Sequence, residues 1–296
     1  MEPNRAVPSA TRGRHAFIAL LLLAVTAVWG WTFVIVKDAV SNYGVMAFLA
    51  LRFGLAALVM APFARRLDRG AWRTGLGIGL VLGISYILQT VGIRHTTATN
   101  SGLITGLFVV FAPLWNHVIY GVRSRAVTWC QVGVSLVGLM LLTGGVAGEF
   151  SVGDLLTLGC AITFGLHIAL LDRHSREHDP GSLAFVQLLA SAALFILVWP
   201  LSEPLVLPAA GSVWAAIVLC GIVATAVGFT AQTLAQRTLP AVRTALILSM
   251  EPVWAAFFGW ALAGDHLGPP QYLGAVLMVA AAATANVWQP TVSREA

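Results

Sequence analysis

The stretch QTVGIRHTTATNSGLI, Gln89–Ile104, sets an amide, an arginine, a histidine and a run of hydroxyls between two long apolar segments. Nearly the same frame returns 143 residues later as QTLAQRTLPAVRTALI, Gln232–Ile247. At that offset Gln89 pairs with Gln232, Thr90 with Thr233, Arg94 with Arg237, Ala98 with Ala241, Leu103 with Leu246 and Ile104 with Ile247. Farther on, Pro113 answers Pro252 with the offset reduced to 139. The shortfall of four residues is about one helical turn, so the helix face survives the change in length. Upstream, Trp29-Gly30 in AVWGWTF matches Phe164-Gly165 in AITFGLHI, and MAFLAL echoes LAFVQL. The matches keep a common order across five segments, which reads as an internal repeat.

The solvent around this repeat is a bilayer. The chain is 58% hydrophobic and 10% charged, against roughly 25% charged in soluble domains. Ten apolar runs near the ~20 residues a helix needs to cross a bilayer lie between charges, turn residues and Gly/Pro clusters. They are Phe17–Val36, Val45–Ala64, Trp72–Gly92, Thr99–Tyr120, Val127–Gly145, Gly153–Leu171, Ser182–Leu201, Ser212–Ala235, Ala241–Ala263 and Pro270–Trp288. They are apolar all round, unlike the alternating strands of a membrane barrel. The first is too long for a signal-peptide core and no small-x-small site follows it, so it is expected to be retained.

Charge placement gives orientation, because Lys and Arg collect in short cytoplasmic loops. With ten spans and the N-terminus inside, 14 of the 17 basic residues fall on the cytoplasmic side; Lys37 and Arg94 fall outside, and Arg52 lies within the second span. The expected fold is therefore an all-α integral membrane protein of ten transmembrane helices, with both termini cytoplasmic. Five helices per copy is an odd number, so the second copy is inverted. The boundaries are a tail at 1–16, repeats at 17–145 and 153–288, and a tail at 289–296. Inverted repeats suit secondary transporters, since two related halves can present one central site to either side in turn.

The chain resembles the drug/metabolite transporter superfamily in its EamA-type ten-helix branch, through AVWGWTFVIVK, LALRFGLAAL, HTTATNSGLITGLFVVFAP, GDLLTLGCAITFGLHIALLDR and RTALILSMEPVWAAFFGWAL. The resemblance implies a cavity lined by the first, third, fourth, sixth, eighth and ninth helices. It also implies export of small metabolites, often amino acids, across the bacterial inner membrane; import is the alternative. The related four-helix multidrug exporters carry an essential Glu in their first helix, and Phe17–Val36 has none.

Glu251 lies about 15 Å along its segment at 1.5 Å per residue, and an ionisable group at that depth is a functional candidate. It serves proton coupling, substrate contact or helix bracing. Arg52 is the other charge well inside a span, and opposite buried charges tend to meet, so the two are expected to interact in at least one conformational state. Gln89 and Gln232 can hydrogen-bond a zwitterion without a buried charge, as can Thr32 and Thr105. Trp29, Tyr86, Phe108, Trp115, Phe164 and Phe229 are candidates for an aromatic wall of the usual apolar kind. His167 titrates near neutrality in its ordinary state. Each of these side chains also has a plain packing role open to it.

Other signals point to structure. His174 and His178 share i,i+4 spacing suitable for a metal, but sit in a charged loop where solvation is expected. Cys130, Cys160 and Cys220 share no ligand spacing. Gly75–Gly83, GLGIGLVLG, allows close helix approach. Pro113 and Pro252 each remove a backbone donor mid-segment and mark expected kinks. The single Lys excludes a Walker motif, and there is no Gly-x-Ser-x-Gly elbow, so a membrane-embedded enzyme is disfavoured. No metal or cofactor is expected. The expected partners are a small-molecule substrate and lipid, not nucleic acid, with oligomeric state open.

Overall fold

The computed structural model describes residues 9–96, 98–143, 151–263 and 266–287, and among them the regular structure is all helical. The helices are α1 (Ser9–Asn42), α2 (Val45–Met60), α3 (Arg69–Gly92), α4 (Ala98–Thr105), α5 (Phe108–Tyr120), α6 (Ala126–Thr143) and α7 (Val152–His174). They continue with α8 (Pro180–Ser202), α9 (Gly211–Leu219), a π-helical stretch Cys220–Val227, α10 (Gly228–Gln236), α11 (Ala241–Leu248), α12 (Glu251–Ala263) and α13 (Pro269–Val287). Among the described residues, seven helical stretches are long and apolar enough to cross a membrane: Ala16–Asn42, Val45–Phe63, Arg69–Gly92, Val152–His174, Pro180–Ser202, Gly211–Gln236 and Ala241–Phe258. The first helix begins at Ser9, so part of the expected tail 1–16 is helical.

Helix ends fall where the sequence supplies caps. Asp68 accepts from the N–H of Ala71 at 2.6 Å to start α3, and Asp179 accepts from Ser182 at 3.0 Å to start α8. Ser151 and Asp154 form a reciprocal capping box at α7, satisfying donors that the first turn leaves unpaired. Gly121, at φ 66°, ends α5 in the left-handed conformation that a residue without Cβ adopts freely.

Packing runs through small residues. The glycine run behaves as expected on one face: a Cβ at Gly75 or Gly79 would stand 2.6 or 2.3 Å from atoms of α8, whereas one at Gly77 would meet nothing within 4 Å. Gly138 of α6 and Gly274 of α13 lie back to back, each opposite the other's carbonyl oxygen. Gly30 of α1 packs on the backbone of Glu251 and Ala255 in α12, and Gly165 of α7 on Phe111 and Ala112 in α5. Between elements, α3 packs on α7 and α8, α5 on α7, α2 on α8 and the π stretch, α1 on α10 and α12, and α6 on α13. Without a hydrophobic drive between helices in lipid, such backbone approach supplies much of the association.

Both proline-bearing segments are interrupted before their prolines. The helix at Thr99–Tyr120 breaks at Gly106-Leu107, six residues before Pro113, which lies inside α5. The one at Ala241–Ala263 breaks at Ser249-Met250, and Pro252 takes the second position of α12. In a first turn no backbone donor is needed, so Pro252 fits without a lost bond. Both breaks stand at the 143-residue offset, so the four missing residues of the second copy lie between break and proline.

Candidate functional site

A cavity opens among α1, α2, α3, α7, α10 and the two broken helices, α4–α5 and α11–α12. Its lining is written in helical periods. α1 contributes Trp29, Thr32, Phe33 and Val36, and α3 with its capping residue contributes Tyr86, Gln89, Thr90 and Ile93, both at i, i+3, i+4 and i+7. Phe164 and Ile168 come from α7, Phe229 and Gln232 from α10, and Arg52 from α2. The two breaks bring in Thr105 and Phe108 on one side and Leu248 and Glu251 on the other.

Of the residues singled out in the sequence, Trp29, Thr32, Arg52, Tyr86, Gln89, Thr105, Phe108, Phe164, Phe229, Gln232 and Glu251 line this cavity. Four of the aromatic members, Trp29, Tyr86, Phe164 and Phe229, form one contiguous wall. Ring centres are 5.3 Å apart for Trp29 and Phe229, 5.5 Å for Tyr86 and Phe164 and 6.0 Å for Tyr86 and Phe229. Trp29 is fixed by its indole N–H, which donates to the carbonyl of Ala224 in the π stretch at 2.7 Å. Such π turns expose backbone groups that an α-helix would use itself.

Trp115 and His167 stand outside the lining. The Trp115 indole donates to the Ile162 carbonyl at 3.0 Å, tying α5 to α7. His167, fully buried, places Nε2 3.0 Å from Gln187 Oε1, and Gln187 Nε2 donates to Thr233 Oγ1 at 3.0 Å. The imidazole meets the edges of Phe164 and Phe229, so it backs the wall from behind. Phe33, Val36, Thr90, Ile93, Ile168 and Leu248 line the cavity without having been singled out. The i, i+3, i+4, i+7 rows starting at Trp29 and Tyr86 are the signal that would have found the first four.

Arg52 and Glu251 line the same cavity but form no ion pair in this conformation. Among the described residues the ion pairs are those of Glu177 with Arg173 and His174. Arg52 instead donates through Nε to Thr225 Oγ1 at 2.8 Å, with its guanidinium carbon 5.1 Å from the ring centre of Tyr86. Glu251 begins α12, where the positive end of the helix dipole faces it.

Gln232 donates to Gln236 at 3.1 Å, Gln236 donates to the Ile168 carbonyl at 2.8 Å, and the Gln232 carbonyl oxygen is left without a partner. That oxygen is itself buried. In the loop after α7, His174 bonds Glu177 at 2.9 Å, which holds the Glu177 carboxyl below its ordinary range, while His178 turns to Thr74. The two rings are thus engaged separately, and among the described residues no three His, Cys, Asp or Glu side chains gather as a metal site. Cys160 and Cys220 are buried, and Cys130 is exposed.

The EamA-like transporter family profile matches residues 16–144 and again 151–287. This chain belongs to the EamA-like transporter family. The transporter is 34% identical over 272 residues to an uncharacterized transporter of Archaeoglobus fulgidus, covering 90% of this chain and 85% of that one. It is 24% identical to the uncharacterized transporter YyaM of Bacillus subtilis, over 92% of this chain and 94% of YyaM. A biotin transporter of Escherichia coli is 28% identical over 224 residues, covering 71% of this chain and 73% of that one. A solved crystal structure at 21% identity superposes with a TM-score of 0.77, over 92% of this chain and 99% of the other, which establishes the likeness of fold.

Proposed function

We propose that this multi-pass membrane transporter moves small metabolites, amino acids or related compounds, out of the cytoplasm by alternating access. It does so as ten spans in two inverted repeats, 17–145 and 153–288, in a bacterial inner membrane, with both termini cytoplasmic. The observation that carries this reading is a cavity walled by equivalent parts of both halves. Its walls are held by mirrored contacts: Gly30 on Glu251 answers Gly165 on Ala112, the glycines lying 135 positions apart and Ala112 and Glu251 139 apart. Packing of α3 on α7 answers that of α10 on α1, and α5 on α7 answers α12 on α1. Arginine placement supports the orientation. Broken helices at mid-depth leave backbone polar groups for solute and ions only where they border a cavity.

The relative named a biotin transporter favours a second substrate reading, biotin or a compound like it. Reconstituting the purified protein in liposomes with labelled amino acids and biotin, with and without a pH gradient, tests both. Export predicts efflux from vesicles into which the protein inserts with its cytoplasmic face inward. If folded protein moved biotin and no amino acid, the amino-acid reading would be dropped; if it moved neither, both would.

A further inference from the structure

Arg52 enters the cavity from the middle of α2 with most of its hydrogen-bonding capacity unused. The residue is 3% exposed. One of its five N–H donors, on Nε, is taken by Thr225 Oγ1, itself fully buried on the π stretch. The rings of Tyr86 and Phe53 lie 5.1 and 5.6 Å from the guanidinium carbon, which offsets part of the charge and clamps the group in place. Among the described residues neither Nη group has a hydrogen-bond partner, and no carboxylate lies within ion-pairing distance. A guanidinium at this depth is costly unless something neutralises it. The free donors form a planar fork that matches a carboxylate, on a residue that lines the cavity.

We propose that Arg52 anchors the carboxylate of the transported solute through its two Nη groups, so that the cavity selects organic carboxylates whose apolar body lies on the wall of Trp29, Phe164 and Phe229. This rests on the reading of the cavity as the transport site. Holding Nε on Thr225 fixes the plane of the fork and leaves the Nη edge for the ligand. The solute carboxylate supplies a counter-charge within hydrogen-bonding reach of the Nη groups, which Glu251, across the same cavity and not ion-paired with Arg52, does not, and the aromatic rings supply contact without polar specificity. The carboxylate is the required group; the rest of the solute is tolerated broadly.

Purified full-length protein is tested for binding of labelled L-phenylalanine, 3-phenylpropionate and biotin, each in competition with the amide made from its acid. Each acid that binds is expected to outcompete its amide at least tenfold. Arg52→Lys, which keeps the charge and loses the fork, is expected to weaken acids at least tenfold and to leave the amides unchanged. The acid and amide comparison on the wild-type protein stands even if the variant does not fold. Amides that bind as well as acids, a folded Arg52→Lys protein with unaltered acid binding, or no binding of any acid overturns the anchor. If 3-phenylpropionate or biotin binds in an Arg52-dependent way while no amino acid moves, the amino-acid reading fails and the anchor stands. If amino acids move but their amides bind equally, transport stands and the anchor falls.

Discussion

Gly30 and Glu251 touch backbone to backbone: a methyl group added at Gly30 would stand 2.7 Å from the Glu251 carbonyl oxygen and 2.9 Å from the Ala255 nitrogen. α1 and the broken helix therefore meet at the residue that carries the cavity's carboxylate. Gly30→Ala has to push α12 away, at about 1–3 kcal/mol for an overpacked contact. The expected result is a lower unfolding temperature and reduced transport, with Gly165→Ala behaving alike against Phe111 and Ala112. Gly77→Ala, which meets nothing within 4 Å, should leave both unchanged. Equal tolerance at Gly30 and Gly77 in thermal unfolding would sink this account of the contact.

The back-to-back pair Gly138 and Gly274 brings α6 and α13 together away from the cavity. Gly138→Ala should lower thermal stability by about 1–3 kcal/mol while sparing solute affinity measured on the folded fraction. A loss of affinity without a loss of stability would show that this pair belongs to the transport site after all.

Arg52 and Glu251 share a cavity without pairing. Reversing both charges is therefore expected not to restore transport lost in Arg52→Glu or Glu251→Arg alone, because the Thr225 bond of Arg52 and the dipole at the start of α12 are specific to each position. Recovery in the double reversal, read as initial transport rate, would establish a direct pair in another conformation.

Glu251 is the ionisable acid of the cavity, and a carboxylate that takes up and releases a proton would couple transport to a pH gradient. Glu251→Gln is expected to leave solute exchange across liposomes intact and to abolish acceleration by an imposed pH gradient. A variant still driven by the gradient assigns coupling to another group.

The proposed orientation places the loop after α7 in the cytoplasm and the loop before α9 outside. With the native cysteines replaced, Glu177→Cys should react with a membrane-impermeant maleimide only after cells are opened, and Leu207→Cys, 66% exposed in the native protein, should react in intact cells. The opposite pattern would invert the topology and the direction of export with it.

The doubled stretch beginning at Gln89 and Gln232 pointed to a repeat, and the family follows from residues whose order in the chain is itself the signal. Apolar runs of bilayer length dictate helices because lipid offers the backbone no hydrogen-bond partners, and eleven of the thirteen side chains named from sequence face one cavity. What tertiary structure alone decided is where helices stop and what buried charges bind. Proline pointed to kinks at Pro113 and Pro252, and the structure also interrupts these segments at Gly106-Leu107 and Ser249-Met250, where the sequence carries no proline. Arg52 found Thr225, 173 residues away, on a π stretch for which the sequence carries no pattern. His167 was placed behind the wall and not in it by Gln187 on another helix. Local sequence fixes a residue's face on its own helix through a 3.6-residue period, whereas the partner of that face is set by long-range packing, which no single segment encodes.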